Sequence, residues 1–151
     1  MSARHDVVSH VRTLKLVQGT RNGDDPDLLD NVDTQGFRGV AICMGMGNNA
    51  SLTTTNSMSF ELFHSDDSSD WENVSRDDVE FGHGAVPGTF NANRSEIWRR
   101  TSNPTHNPTA TVGYMGGKRY LRVGAHERGT VGQGVAMRVA VVGVGPRASM
   151  K

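Results

Sequence analysis

A chain of 151 residues, 35% of them hydrophobic and 18 of them glycine, can build one core but not two, and favours short strands with many turns over a helical bundle. Its 16 basic and 16 acidic side chains cancel, so net charge argues neither for nor against a nucleic-acid partner. No run approaches the eighteen or so apolar residues of a membrane helix, and Met1-Ser2-Ala3-Arg4-His5-Asp6 lacks the basic-then-apolar plan of a signal peptide.

The expected setting is therefore a cytoplasm, where the Asn-x-Ser sequons at Asn49, Asn73 and Asn93 carry little weight. Charge is unevenly distributed. Residues 1–80 hold 14 acidic and 6 basic side chains, and residues 81–151 hold 2 and 10. Either early and late strands pair in one sheet and neutralise each other, or the surface is bipolar and steers one subunit onto another. The single cysteine, Cys43, lies in the apolar run Val40–Met44. It cannot form an internal disulfide and has no activating neighbour in sequence, so a buried small hydrophobe is expected.

In chain order, residues 1–10 read as a loose arm, and a strand begins near Arg12. Residues 19–31, rich in Asp and Gly, read as a loop. Phe37 to Met44 is a strand, followed by a loop at Gly47-Asn48-Asn49. Met58, Phe60 and Leu62 alternate with Ser57, Ser59 and Glu61, the pattern of a half-buried strand. Residues 65–70, Ser-Asp-Asp-Ser-Ser-Asp, form a turn. Trp71 and Val74 anchor a short strand, and Asp77-Asp78-Val79 leads towards another.

Residues 82–108 read as a long irregular insertion, with one helical turn at Ser95–Arg100 capped by Ser95. Thr109–Tyr114 and Arg119–Gly124 flank Met115-Gly116-Gly117-Lys118 as a hairpin. Val135, Met137, Val139 and Val141 alternate with Ala136, Arg138, Ala140 and Val142 in the clearest strand of the chain, and residues 148–151 form a tail. Seven or eight short strands without a long helix predict an all-β, single-domain antiparallel β-sandwich or jelly roll over residues 11–147.

No constellation points to chemistry. Asp66, Asp67, Asp70 and Glu72 offer oxygens but lack the spacing of a calcium loop. The six histidines are scattered, without the i, i+4 pairing of a zinc site. Gly129–Gly134 precedes a strand rather than a helix, unlike a phosphate loop, and no Gly-x-Ser-x-Gly elbow is present. No catalytic residue, cofactor or metal is expected. Trp98 with Arg99 and Arg100 either forms a partner contact or folds back on the sandwich edge.

Four segments, taken in order, resemble the small head decoration (cement) proteins of tailed bacteriophages and prophages. They are Val32-Asp33-Thr34-Gln35-Gly36-Phe37; Phe60-Glu61-Leu62 leading to Ser65-Asp66-Asp67-Ser68; Val112 to Val123, with Tyr114, Gly116, Arg119 and Tyr120; and Val141-Val142-Gly143 before Pro146-Arg147. The resemblance implies a virion protein on the capsid surface, assembled in the bacterial host cytoplasm, that braces the major capsid protein, commonly as a homotrimer.

On that expectation Phe60, Leu62, Trp71, Tyr114 and Tyr120 fill or flank the core, Gly36 and Gly116 permit turns, and Arg119 pairs with early acidic strands. The arm with Arg4 and His5, and the long loop with Trp98, Arg99 and Arg100, meet the capsid. Neither a membrane nor a nucleic acid is expected as a partner. Two rival readings are a head–tail connector or tail component, and a carbohydrate-binding β-sandwich module using Trp71 or Trp98 as a stacking platform.

Overall fold

The computed structural model describes residues 11–47, 52–101 and 109–146. The N-terminal arm with Arg4 and His5, the Asn48-Asn49 loop, residues 102–108 of the expected insertion and the 148–151 tail lie outside the described residues. Eleven strands are present among those described: β1 Val11–Arg21, β2 Asp25–Asp33, β3 Phe37–Met46, β4 Ser57–Ser65, β5 Glu72–Asn73, β6 Val79–Phe81, β7 Phe90–Asn91, β8 Arg94–Arg100, β9 Thr109–Tyr114, β10 Tyr120–Arg128 and β11 Val135–Pro146. A single 3-10 turn, Arg76–Asp78, is capped by the Ser75 hydroxyl, which accepts from the Asp77 amide.

The strands form two antiparallel sheets. One runs β1-β11-β3-β9-β6; the other runs β2-β10-β4-β8-β7, with β5 paired to β4. Apart from the neighbours β4–β5 and β7–β8, each strand is followed by one in the opposite sheet, which is the winding of a jelly roll. The expected all-β sandwich is the fold. Phe60, Leu62, Ile42, Leu121, Val139 and Val141 are fully buried between the sheets.

Five expectations from sequence are corrected. Of the expected 19–31 loop, residues 19–21 complete strand β1 and residues 25–31 lie in strand β2. Leu28, Leu29 and Val32 are all buried because Asn31 takes a positive φ of 52° and the register against β10 shifts. Such a bulge breaks the period of two that would reveal the strand.

Residues 94–100 are strand β8, not a helical turn in a loop. The segment before it continues that sheet, since the Arg99 amide donates to Val86 O at 3.0 Å and the Glu96 amide to Thr89 O at 3.0 Å. Strands β9 and β10 do not form a hairpin; they belong to different sheets, and Met115–Arg119 arches between them. Strand β4 is buried on both faces rather than one, because Ser57, Ser59 and Glu61 lie beneath other parts of the chain.

Cys43 is exposed, on the outer face of the five-stranded sheet. There the ladder sets Leu16, Ala140, Cys43 and Thr111 side by side, with Thr13, Val142, Ala41 and Gly113 in the row two residues along. The strand periodicity that buries Ile42 and Met44 turns Cys43 outwards.

Candidate functional site

Most of the chemistry collects at one pole of the sandwich, where β2 passes to β3, β4 ends, and β9 arches into β10. Tyr120 begins β10 and lies between Asp33 on β2 and Ser65 on β4 in a single row of the sheet. Asp33 receives Arg119 in a fork, Nε to Oδ1 at 3.0 Å and Nη2 to Oδ2 at 2.8 Å. The Thr34 amide and hydroxyl both donate to Arg119 O, at 2.9 and 2.5 Å. Gly36 turns the chain into β3 with φ 106°, a conformation that other residues rarely adopt.

Tyr114 ties the two sheets together. Its hydroxyl accepts from the Lys118 amide at 3.2 Å and meets His64 Nδ1, on β4, at 2.8 Å. Burial pushes the Tyr114 phenol up to about 12. Burial first, and then the nearby Lys118 charge, holds His64 below its ordinary value. The ring faces the tyrosine hydroxyl through Nδ1 and the Glu72 carboxylate through Nε2, 3.8 Å away. Gly116 sits over the Tyr114 ring; a Cβ there would come within 2.6 Å of Cε1.

Lys118 binds Glu72 at 2.8 Å and Asp66 at 3.6 Å. Beside it the Asp67 carboxylate accepts from the Ser69 and Asp70 amides, both at 2.9 Å, so this oxygen-rich turn is organised by its own backbone. Between the Thr34–Arg38 and Gly116–Arg119 turns lies a shallow cleft of about 360 Å³, with Arg38, Lys118 and Arg119 among its walls.

Asp33, Gly36, Phe37, Tyr114, Gly116, Arg119 and Tyr120 are thus brought together. Phe60 and Leu62 lie in the core that the pole caps. Trp71 lies against Arg122, whose guanidinium is 4.8 Å from both the Trp71 and Phe63 ring centres.

The expected contact residues Trp98, Arg99 and Arg100 are not offered to a partner. Trp98 is 3% exposed and stacks on Phe60, centroids 5.8 Å apart and planes within 8°. Arg99 pairs with Glu96. Arg100 donates to Met46 O and, at 3.1 Å, to Gly47 O, and burial draws its guanidinium down to about 10. Trp98 is folded into the sandwich, so it provides no sugar platform.

Sequence reasoning missed a second polar cluster. Glu61 on β4 and Glu96 on β8 are register partners, both buried. Arg94 Nη1 reaches Glu61 at 3.0 Å. Glu96 takes the Ser59 hydroxyl, the Thr89 amide at 3.0 Å and Arg99. Burial raises the Glu61 carboxyl, whereas at Glu96 the donors outweigh burial and hold it below its ordinary value. These carboxylates are committed to internal partners and shielded from solvent. Only the alternation of Ser57, Ser59 and Glu61 hinted at them.

No protein-family model and no curated protein matches the sequence. Among solved structures, the chain is similar to the xylan-binding module CBM15 at 11% identity and a TM-score of 0.42, covering 91% of this chain and 98% of that one. It is also similar to Xylanase10C from Cellvibrio japonicus in complex with xylopentaose, at 12% identity and TM-score 0.35, over 85% of this chain and 20% of that one. A third is a structure of the infectious bursal disease virus Gt strain, at 12% identity and TM-score 0.24, over 93% of this chain and 42% of that one. At such scores none bears on function.

Proposed function

We propose that this chain is a non-catalytic phage head decoration protein that docks on the assembled capsid and braces the major capsid protein. One observation carries the reading. The segments that resemble the decoration family are separated by tens of residues in sequence, yet 32–37, 65–68 and 112–123 meet at one pole, where Phe37 also pairs with the end of β11. Asp33, Arg119 and Tyr114 hold that pole rigid, with Arg38 exposed at its rim.

A rigid pole presented in many copies suits bracing. A protein that binds only the assembled shell stabilises it by mass action, and symmetric copies sum modest contacts. Because residues 82–101 belong to the sandwich, the docking surface in this proposal is the pole rather than a long loop. The test is cosedimentation of purified protein with expanded heads and with free capsid subunits. Binding to heads alone, weakened by Arg38→Glu, is the expected result. Binding to neither, or about a dozen copies per particle in place of hundreds, would refute it and favour a connector.

A further inference from the structure

The two outer faces of the sandwich differ in chemistry. The six-stranded sheet carries the Glu61–Glu96 cluster and the Arg122–Asp27 and His126–Asp24 pairs. On β1, β11, β3 and β9 the central rows of the five-stranded sheet carry no charge and most of their side chains are Thr or smaller, while the exposed Glu80 of β6 ends the Gly113 row at the sheet edge. Five large hydrophobic side chains are exposed among the described residues, and the β1–β11 side of this sheet holds three of them: Val11, Leu16 (62% exposed) and Val144. Arg138 stands in the next row and lies folded over Gly45.

We infer that this face pairs with the same face of a second copy, forming an isologous dimer. Its extent supports that occupant. Four strand spacings of about 4.8 Å by eight residues of about 3.3 Å give about 500 Å² per copy, so about 1,000 Å² in total, the lower bound for a specific interface. Interface centres are depleted in charge and rims are polar, which matches uncharged rows on these four strands with Arg138 and the edge residue Glu80 around them. Small side chains let two sheets approach closely, and such aligned face-to-face packing is that of sandwich cores.

With the two-fold axis along the Leu16–Ala140–Cys43–Thr111 row, each Arg138 lies opposite the partner's Val142 end rather than opposite the other Arg138, and each Cys43 faces its own copy. Self-pairing of one patch closes at two subunits, not at the three implied by the family resemblance. The inference stands on the sheet face alone and does not depend on capsid binding.

Sedimentation equilibrium of the full chain, with bismaleimide crosslinking at Cys43, tests it. Wild type should associate reversibly to a dimer, and a short bismaleimide should join two chains. Ala140→Glu and Thr111→Lys should each weaken dimerisation by about tenfold or more, since each buries an unpaired charge. Both should leave circular dichroism unchanged and abolish the crosslink, and should lower melting only to the extent that wild-type melting itself depends on protein concentration.

A strictly monomeric wild type, a trimer, or an oligomer unmoved by both variants would overturn the inference. So would a monomer that loses head binding with Ala140→Glu, which gives the face to the capsid. A monomer whose Cys43 reacts only after removal of residues 1–10 would also overturn it, giving the face to the chain's own N-terminus.

Discussion

At Tyr114, one hydroxyl serves a ring on the opposite sheet and the amide of the turn that follows. Tyr114→Phe removes the partner of both His64 Nδ1 and the Lys118 amide, leaving buried polar groups unmet at a cost of about 1–3 kcal/mol. Gly116→Ala sets a methyl group against the same ring, an overpacking worth about 1–3 kcal/mol. Urea denaturation should show both losses with unchanged m-values. His64 adds a pH dependence. Its folded pKa lies below the free value of 6.5, so its contribution is complete above pH 6.5 and declines as pH falls towards the folded value. A melting temperature that drops below pH 6.5 in the wild type and stays flatter in His64→Asn is the expected result.

Among the elements, strands with intact alternation were legible and bulged or polar ones were not. Strand β11 reads directly from Val135, Met137, Val139 and Val141. Strand β2 was hidden because Leu28 and Leu29 both turn inwards around a bulge. Strand β8 was hidden because Glu96, Arg99 and Arg100 look like surface residues until their internal partners are seen. The pole was legible as an ordered set of segments, but local signals do not reveal which sheet a strand joins, so β9 and β10 looked like a hairpin.

The β4–β8 pair yields a prediction with opposite signs. Glu96, held low, stabilises above its free value of 4.5, and that contribution disappears as pH falls through its folded value. Glu61, held high by burial, contributes below 4.5 and loses that contribution as pH rises through its folded value. At neutral pH, Glu96→Gln should cost about 3–5 kcal/mol by stranding Arg99. Glu61→Gln should cost far less, since Arg94 is partly exposed and can be solvated. Melting curves should show a flattened acid limb for Glu96→Gln and a steeper one for Glu61→Gln. Trp98→Ala, which empties the space on Phe60, should cost about 3–5 kcal/mol.

Across the whole molecule, the acidic first half and basic second half are interleaved rather than opposed. Arg119 meets Asp33, Arg122 meets Asp27, Lys118 meets Glu72, and Arg94 meets Glu61, so the charge asymmetry is largely consumed across strands. The same interleaving governs folding. Strand β11 is the shared neighbour of β1 and β3, and β10 that of β2 and β4, so neither sheet can form before the last third of the chain is in place. Loop closure over such distances comes before the reward of contact, which places refolding in the millisecond-to-second range or slower, behind helical domains of equal size. Stopped-flow fluorescence of Trp98, buried against Phe60 and read in a Trp71→Phe variant because Trp71 also emits, should show its native signal returning in that window and together with the far-ultraviolet β signal. Recovery of native tryptophan fluorescence in microseconds, or by a fragment lacking residues 135–151, would contradict a core that needs both ends of the chain at once.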